Sequence, residues 1–212
     1  MTNLIIDGPE HGPLFLFAHG AGAGMEHDFM QDMATRLAAK GIRVVRFNFP
    51  YMVKRAEDGK KRPPDRAPKL LEAMTQVIEN VANGQPIVIG GKSMGGRMAS
   101  LLSEHELVKS IACLGFPFHP PGKPENFKGD HLATMAKPCL ILQGERDTFG
   151  KQEEFADFTL SDKVEVSFVP DGDHSFKPRK SSGFTEAQNR QMAADRLALF
   201  IKGINDMEEV SA

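Results

Sequence analysis

The chain has no surplus of charge of one sign, no long apolar run and only two cysteines. Its 26 basic and 28 acidic residues give a formal net charge of −2, so no global basic field points to nucleic acid or an anionic membrane. No segment reaches the apolar length of a membrane span. The stretch Met1-Thr2-Asn3-Leu4-Ile5-Ile6-Asp7 has no basic region, and its apolar run is too short for a secretory signal. Cys113 and Cys139 both fall in strand-like runs, where small buried thiols in a reducing compartment are expected rather than a disulfide. The seven histidines show neither H-E-x-x-H nor paired-cysteine spacing, so no metal or other cofactor is expected. These absences together lead us to expect a cytoplasmic protein that binds neither nucleic acid nor membrane.

The residues present are ordinary for a folded domain: 41% hydrophobic and 25% charged over 212 residues. That length suits one unit with a proper core. No internal repeat, linker or low-complexity tract divides it, so one domain is expected over 1–205, with a frayed tail over 206–212. Leu14–Ala18, Val44–Phe49, Ile87–Ile89, Ile111–Gly115 and Cys139–Leu142 are short, nearly continuous apolar runs, as expected of parallel strands covered on both faces. Val164–Val169 alternates like an edge strand. Helical spacing links Phe29, Met33 and Leu37, after an Asp28–Gln31 capping-box pattern and before a Gly41 cap. It recurs from Leu70 to Val81, from Arg97 to Glu106, at Gln152–Phe158, and after the Thr185–Gln188 pattern. Between Tyr51 and Lys69 the pattern breaks into charge, glycine and proline. Strands alternating with helices predict a mostly parallel, doubly wound α/β sheet with helices on both faces.

Pro86-Ile87-Val88-Ile89-Gly90-Gly91-Lys92-Ser93-Met94-Gly95-Gly96-Arg97 is the stretch the rest is arranged around. Gly91–Gly95 fits G-x-S-x-G, a turn that lifts a serine hydroxyl above the sheet between a strand and a helix. Its flanking glycines are required where a Cβ would strike a neighbouring strand or helix. A phosphate-loop reading of Gly91-Lys92-Ser93 fails, because it needs glycine at Pro86 and a loop where Ile87-Val88-Ile89 stands. A dinucleotide reading of Gly20-x-Gly22 fails for want of glycine at Met25.

Functional residues of open α/β sheets collect in loops after the strands. Three such loops carry Ser93, Asp147 and His174, in the chain order Ser…Asp…His. With these residues, the chain resembles the α/β-hydrolases from near its N-terminus to its last helix. It is similar to their small, lidless, dienelactone-hydrolase-like members. His19-Gly20-Ala21-Gly22, Arg46–Tyr51, Gly91–Arg97 and Phe118–Pro124 resemble the branch holding the hydrolase-like region of subunit 3 of the NSL histone acetyltransferase complex. Dienelactone hydrolases typically carry a nucleophilic cysteine, where this chain has Ser93.

Chemistry assigns the roles. A serine hydroxyl needs a base within hydrogen-bond reach, and His174 is the candidate for that base. A carboxylate must hold the imidazole in one tautomer. Asp147 is preferred to Asp171 and Asp173, which share the loop of His174. For an oxyanion, the backbone of Met94 and of Ala21, with Gly22 as the alternative, are the expected donors. His19, Gly22, Tyr51, Arg97 and His119 are candidate substrate contacts. The segment 51–69 carries seven basic and three acidic residues. A solvated loop is its plainer reading, and a rim attracting an anionic substrate the sharper one.

The expected activity is that of a serine esterase acting through an acyl-enzyme on small soluble esters, thioesters or lactones. Roughly twenty residues separate the Cys113 and Cys139 strands, too few for a separate cap domain. The alternative is a hydrolase-fold interaction module with little turnover. Such a module is expected to lose one of Ser93, Asp147 or His174, and this chain keeps all three. Both monomer and dimer are compatible with the exposed edge strands.

Overall fold

The computed structural model describes residues 3–211, with side-chain surroundings through Asp206. Among the described residues the strands are β1 (Leu4–Asp7), β2 (Leu14–Ala18), β3 (Arg43–Phe47), β4 (Ile87–Lys92), β5 (Val108–Leu114), β6 (Cys139–Gly144) and β7 (Val164–Val169). They make one sheet in the order β1-β3-β2-β4-β5-β6-β7. β1 runs antiparallel to β3, and every other neighbouring pair is parallel. The helices are α1 (Asp28–Ala38), α2 (Pro50–Asp58), α3 (Ala67–Ala82), α4 (Met94–Leu101) and α5 (Glu186–Ser211).

The period-2 alternation of side chains explains why the strands are apolar without a break. In β2, Phe15 and Phe17 point to the layer of α1 and α5, against Phe29, Met33, Leu197 and Ile201. Leu16 and Ala18 point to the opposite layer, where α3 and α4 supply Met74, Ile78 and Met98. Phe17 is fully buried, so Phe17→Ala leaves a void and costs about 3–5 kcal/mol. Cys113 and Cys139 are buried free thiols on adjacent strands, as expected.

Several elements differ from the sequence expectation. Pro50, just past the expected strand Val44–Phe49, opens α2 at its first turn, where a missing N–H costs nothing. Gly59, at φ 70, closes α2 by donating its N–H to the Arg55 carbonyl at 2.8 Å. Only 59–66 of the segment expected to be irregular remains a loop. The four-residue β1 was not foreseen. The N-cap of α1 is His27, whose Nδ1 accepts from the Phe29 N–H at 3.3 Å, rather than Asp28. Its C-cap is Ala39, with Gly41 just beyond at φ 82. α4 begins at Met94, earlier than the expected Arg97, and Gln152–Asp157 is a 3₁₀ turn. The Thr185–Gln188 box is present in both directions, at 2.9 and 3.2 Å. α5 extends from Glu186 to Ser211, and Met1, Thr2 and Ala212 lie outside the described residues.

Candidate active site

The chain passes from β2 outward to β3 and then returns to β4 on the other side of β2. Loops at the carboxyl ends of β2 and β4 therefore face each other across the point where the winding reverses. Ser93 stands there, between β4 and α4, at φ 51 and ψ −116. That conformation is strained for any residue with a Cβ. It persists because the turn is pinned on both sides. The Ser93 N–H donates to the Leu114 carbonyl and its carbonyl accepts from the Arg97 N–H, both at 3.0 Å. Two glycines make the turn feasible. A Cβ on Gly91 would lie 2.5 Å from the Gly95 carbonyl carbon, and one on Gly95 2.5 Å from the Ala18 oxygen.

Ser93 Oγ lies 2.9 Å from His174 Nε2, and His174 Nδ1 lies 2.8 Å from Asp147 Oδ2. Asp147 is wholly buried, yet both its oxygens are satisfied. Oδ1 accepts from the Phe149 N–H at 2.9 Å, and Oδ2 also accepts from Gln143 Nε2 at 3.1 Å. With Asp147 as acceptor, Nδ1 carries the ring proton and the unprotonated Nε2 faces the Ser93 hydroxyl. The other two aspartates weighed from sequence are engaged elsewhere. Asp171 pairs with Arg146 and Arg179, and Asp173 Oδ1 accepts the N–H groups of Ser175 and Lys177 within its own turn. Burial pushes the His174 imidazole below its ordinary value, the Asp147 hydrogen bond opposes this, and the Lys92 charge adds to it. Phe149 covers one face of the ring, with centroids 4.3 Å apart.

Opposite Ser93, the loop after β2 is held from beneath. His19 is fully buried, with Nδ1 donating to the Gly20 carbonyl at 2.7 Å and Nε2 accepting from the Phe49 N–H at 3.0 Å. Burial lowers its pKa to about 4 despite the Gly20 bond, so it is a neutral spacer at ordinary pH. The buried Tyr51 hydroxyl donates to the Ala21 carbonyl at 2.9 Å, and Arg55 Nη1 to the Gly22 carbonyl at 3.2 Å. With these carbonyls held by α2, the loop's peptide planes are fixed. Met94 occupies the first position of α4, where an N–H has no acceptor within the helix. Gly20, Ala21, Gly22, Ser93, Phe149 and His174 border a cleft of about 460 Å³. A larger cavity, about 810 Å³ between α2, α3 and the end of β3, contains none of Ser93, Asp147 or His174.

Most of the expected substrate contacts are placed away from the cleft. His19 and Tyr51 lie under the loop rather than in the cleft. His119 is buried too, with Nε2 3.0 Å from Glu154 Oε1 and Nδ1 2.9 Å from the Pro120 carbonyl, an arrangement that braces the Phe149 loop. Arg97 is half-buried beside His131, and its Nε has no hydrogen-bond partner among the described residues. Gly22 alone of these borders the cleft. A second serine–histidine pair, Ser100 Oγ to His131 Nε2 at 2.8 Å, is inside the fold. Ser100 is fully buried and its hydroxyl donates to the Arg97 carbonyl, so no substrate reaches it. Sequence reasoning missed Gln143, Lys92 and Phe149. The available signal was a polar residue ending an otherwise apolar strand, as at Gln143 and Lys92.

Residues 11–202 match the family described as "Alpha/beta hydrolase domain". The chain belongs to that family. Among solved structures, this α/β-hydrolase is similar to Est1E from Butyrivibrio proteoclasticus with bound ferulic acid. The TM-score is 0.70 at 17% identity, over 99% of this chain and 96% of that one. It is also similar to an alpha-beta serine hydrolase homologue from Coxiella burnetii, with a TM-score of 0.66 at 20% identity over 92% and 89%. A monoacylglycerol lipase from Paleococcus ferrophilus aligns with a TM-score of 0.69 at 11% identity, over 96% and 99%. At these identities the likeness establishes the α/β-hydrolase fold. Among the described residues, no separate cap covers the sheet end. Among the described residues, no three His, Cys, Asp or Glu side chains cluster as metal ligands. No described helix is long and apolar enough to cross a membrane.

Proposed function

We propose that the protein is a serine hydrolase of esterase type, with Ser93 as nucleophile, His174 as base and Asp147 as its orienting carboxylate. The single observation that carries this is the continuous hydrogen-bonded series from Ser93 Oγ through His174 to buried Asp147, opening on a cleft. His174 Nε2 takes the proton as Ser93 Oγ attacks the acyl carbon. The imidazolium then returns the proton to the leaving alcohol or thiol, so no free alkoxide is expelled. Water repeats the sequence on the acyl-enzyme. The tetrahedral oxyanion is met by the Met94 N–H and by that of Ala21, with Gly22 as the alternative second donor.

Substrate size follows from the cleft. Its volume of about 460 Å³ lies at the small end of ligand sites, and the segment between β5 and β6 holds only a 3₁₀ turn at Asp130–Thr134. Small esters, thioesters or lactones suit it better than long lipids. Relatives of the fold include the ferulate-binding esterase above and a thioesterase domain from the curacin biosynthetic pathway, which keeps both oxygen and sulfur leaving groups within scope. The resemblance to dienelactone-hydrolase-like proteins and to the NSL-subunit branch is retained as part of this reading, as is a single cytoplasmic domain. A panel of p-nitrophenyl esters and acyl thioesters of increasing chain length tests it. Short acyl chains should turn over with a burst of one product equivalent, and His174→Ala should abolish the burst. Turnover that rises with chain length would refute the size argument.

A further inference from the structure

The second residue of the elbow, Lys92, is unusual for where its side chain goes. It ends β4 one position before the nucleophile, yet only 8% of it is exposed. Its ammonium reaches across the sheet end and donates to the backbone carbonyl of His174. Gly115 makes the room for this. A Cβ there would lie 2.9 Å from Lys92 Nζ, 3.0 Å from the His174 carbonyl oxygen and 3.2 Å from His174 Nδ1. The ammonium therefore lies close to the imidazole and its hydrogen bond to Asp147, and Lys92 also borders the floor of the cleft. The charged groups facing it are Asp147 from the loop after β6, and Asp173 and His174 from the loop after β7. From α1, the Phe29 ring lies with its centroid 5.4 Å from Nζ, and Arg190 of α5 stacks on the same ring while pairing with Asp32 and Glu186.

A buried ammonium is expensive to keep, and a neutral side chain of similar length would fill the space at lower cost. Two features offset that cost here: the His174 carbonyl it holds and the two carboxylates it faces. Resting on the serine-hydrolase reading, we infer that Lys92 is a positioning residue. It ties the nucleophile's strand to the base's loop, and its charge opposes protonation of the imidazole that must accept the serine proton. Asp147 alone would favour the imidazolium, and a base already protonated cannot take the Ser93 proton. Lys92 counters that bias while leaving the orienting hydrogen bond intact. Its own charge is also titratable, since burial lowers its pKa to about 8 against the opposing pull of Asp147 and Asp173.

The test compares the full-length wild type with Lys92→Met. In the variant, the acid limb of the kcat/KM profile should move up by about one pH unit, because a like charge has been taken from beside the imidazole. A merely structural role would lower activity without moving the limb. The ring resonances of His174, followed by NMR across pH, give a readout that needs no turnover. In wild type they should show a second, smaller displacement around pH 8 as Lys92 titrates, and in Lys92→Met that displacement should vanish while the main midpoint rises. An unmoved His174 midpoint in folded Lys92→Met overturns the inference. If Lys92→Met does not fold, a wild-type His174 signal that stays flat around pH 8 overturns it. Failure of Ser93 to react with an acylating probe would instead refute the hydrolase reading, and the NMR titration separates the two.

Discussion

Tyr51→Phe removes one oxygen and should show how much the loop after β2 depends on α2. The hydroxyl is buried and donates to the Ala21 carbonyl at 2.9 Å, with the Gly20 carbonyl at 3.3 Å. Burial and the Asp65 carboxylate push the phenol above its ordinary value, so it remains a donor at every working pH. Deleting it costs the fold about 1 kcal/mol, the net worth of one hydrogen bond. In a chain of this size that lowers Tm by about 2–4 °C. Catalysis should lose more than stability does. Removing an oxyanion donor outright costs about 10²–10³ in kcat, whereas here both proposed donors remain. What loosens is the Ala21–Gly22 peptide that carries the Gly22 N–H and, through the longer contact, the Gly20–Ala21 peptide that carries the Ala21 N–H. A loss of about tenfold in kcat is expected, with KM nearly unchanged, because the ground-state carbonyl makes little use of the site. Steady-state kinetics on a short p-nitrophenyl ester, alongside thermal melts, measures both. If kcat holds within about twofold, or the loss falls in KM alone, α2 does not set the oxyanion site.

The remaining predictions concern charge and space. Because burial lowers the His174 pKa and the base works in its neutral form, the acid limb of kcat/KM should lie below about pH 6.5; a limb at or above that value contradicts the site electrostatics. His19 has a folded pKa of about 4 against 6.5 unfolded, so the unfolded chain binds the extra proton between these values. Stability should then rise with pH through that window, by up to about 3 kcal/mol, and urea titrations of His19→Gln should show a flatter dependence. Gly95→Ala forces a Cβ to within 2.5 Å of the Ala18 oxygen and should cost about 1–3 kcal/mol, together with the reactivity of Ser93. Gly22→Ala meets nothing within 4 Å and should change stability by less than about 0.5 kcal/mol in the same melts.

The central strands were readable because parallel strands under two helical layers are apolar along nearly their whole length, as β2 is and as β4 and β6 are up to their carboxyl ends. The candidate site was readable because its three side chains are separated by whole strand–helix units and so fall at one sheet end. What stayed hidden depends on what lies across from a residue, and a sequence does not print that. Lys92 shows its type but not that its ammonium meets the His174 carbonyl, and Gln143 does not show that it holds Asp147. His19, Tyr51 and His119 were placed by loop position beside the substrate, yet each faces inward to satisfy backbone groups. A proline after an apolar run can stop a strand or open a helix, and Pro50 opens α2. β1 is four residues long and stands only because β3 offers it a register.

The most direct test of the account is intact-mass analysis after exposure to a fluorophosphonate, with wild type, Ser93→Ala and Ser100→Ala in parallel. One adduct is expected on wild type and on Ser100→Ala, and none on Ser93→Ala. A folded wild type that takes no adduct, or an adduct that survives in Ser93→Ala, would contradict it.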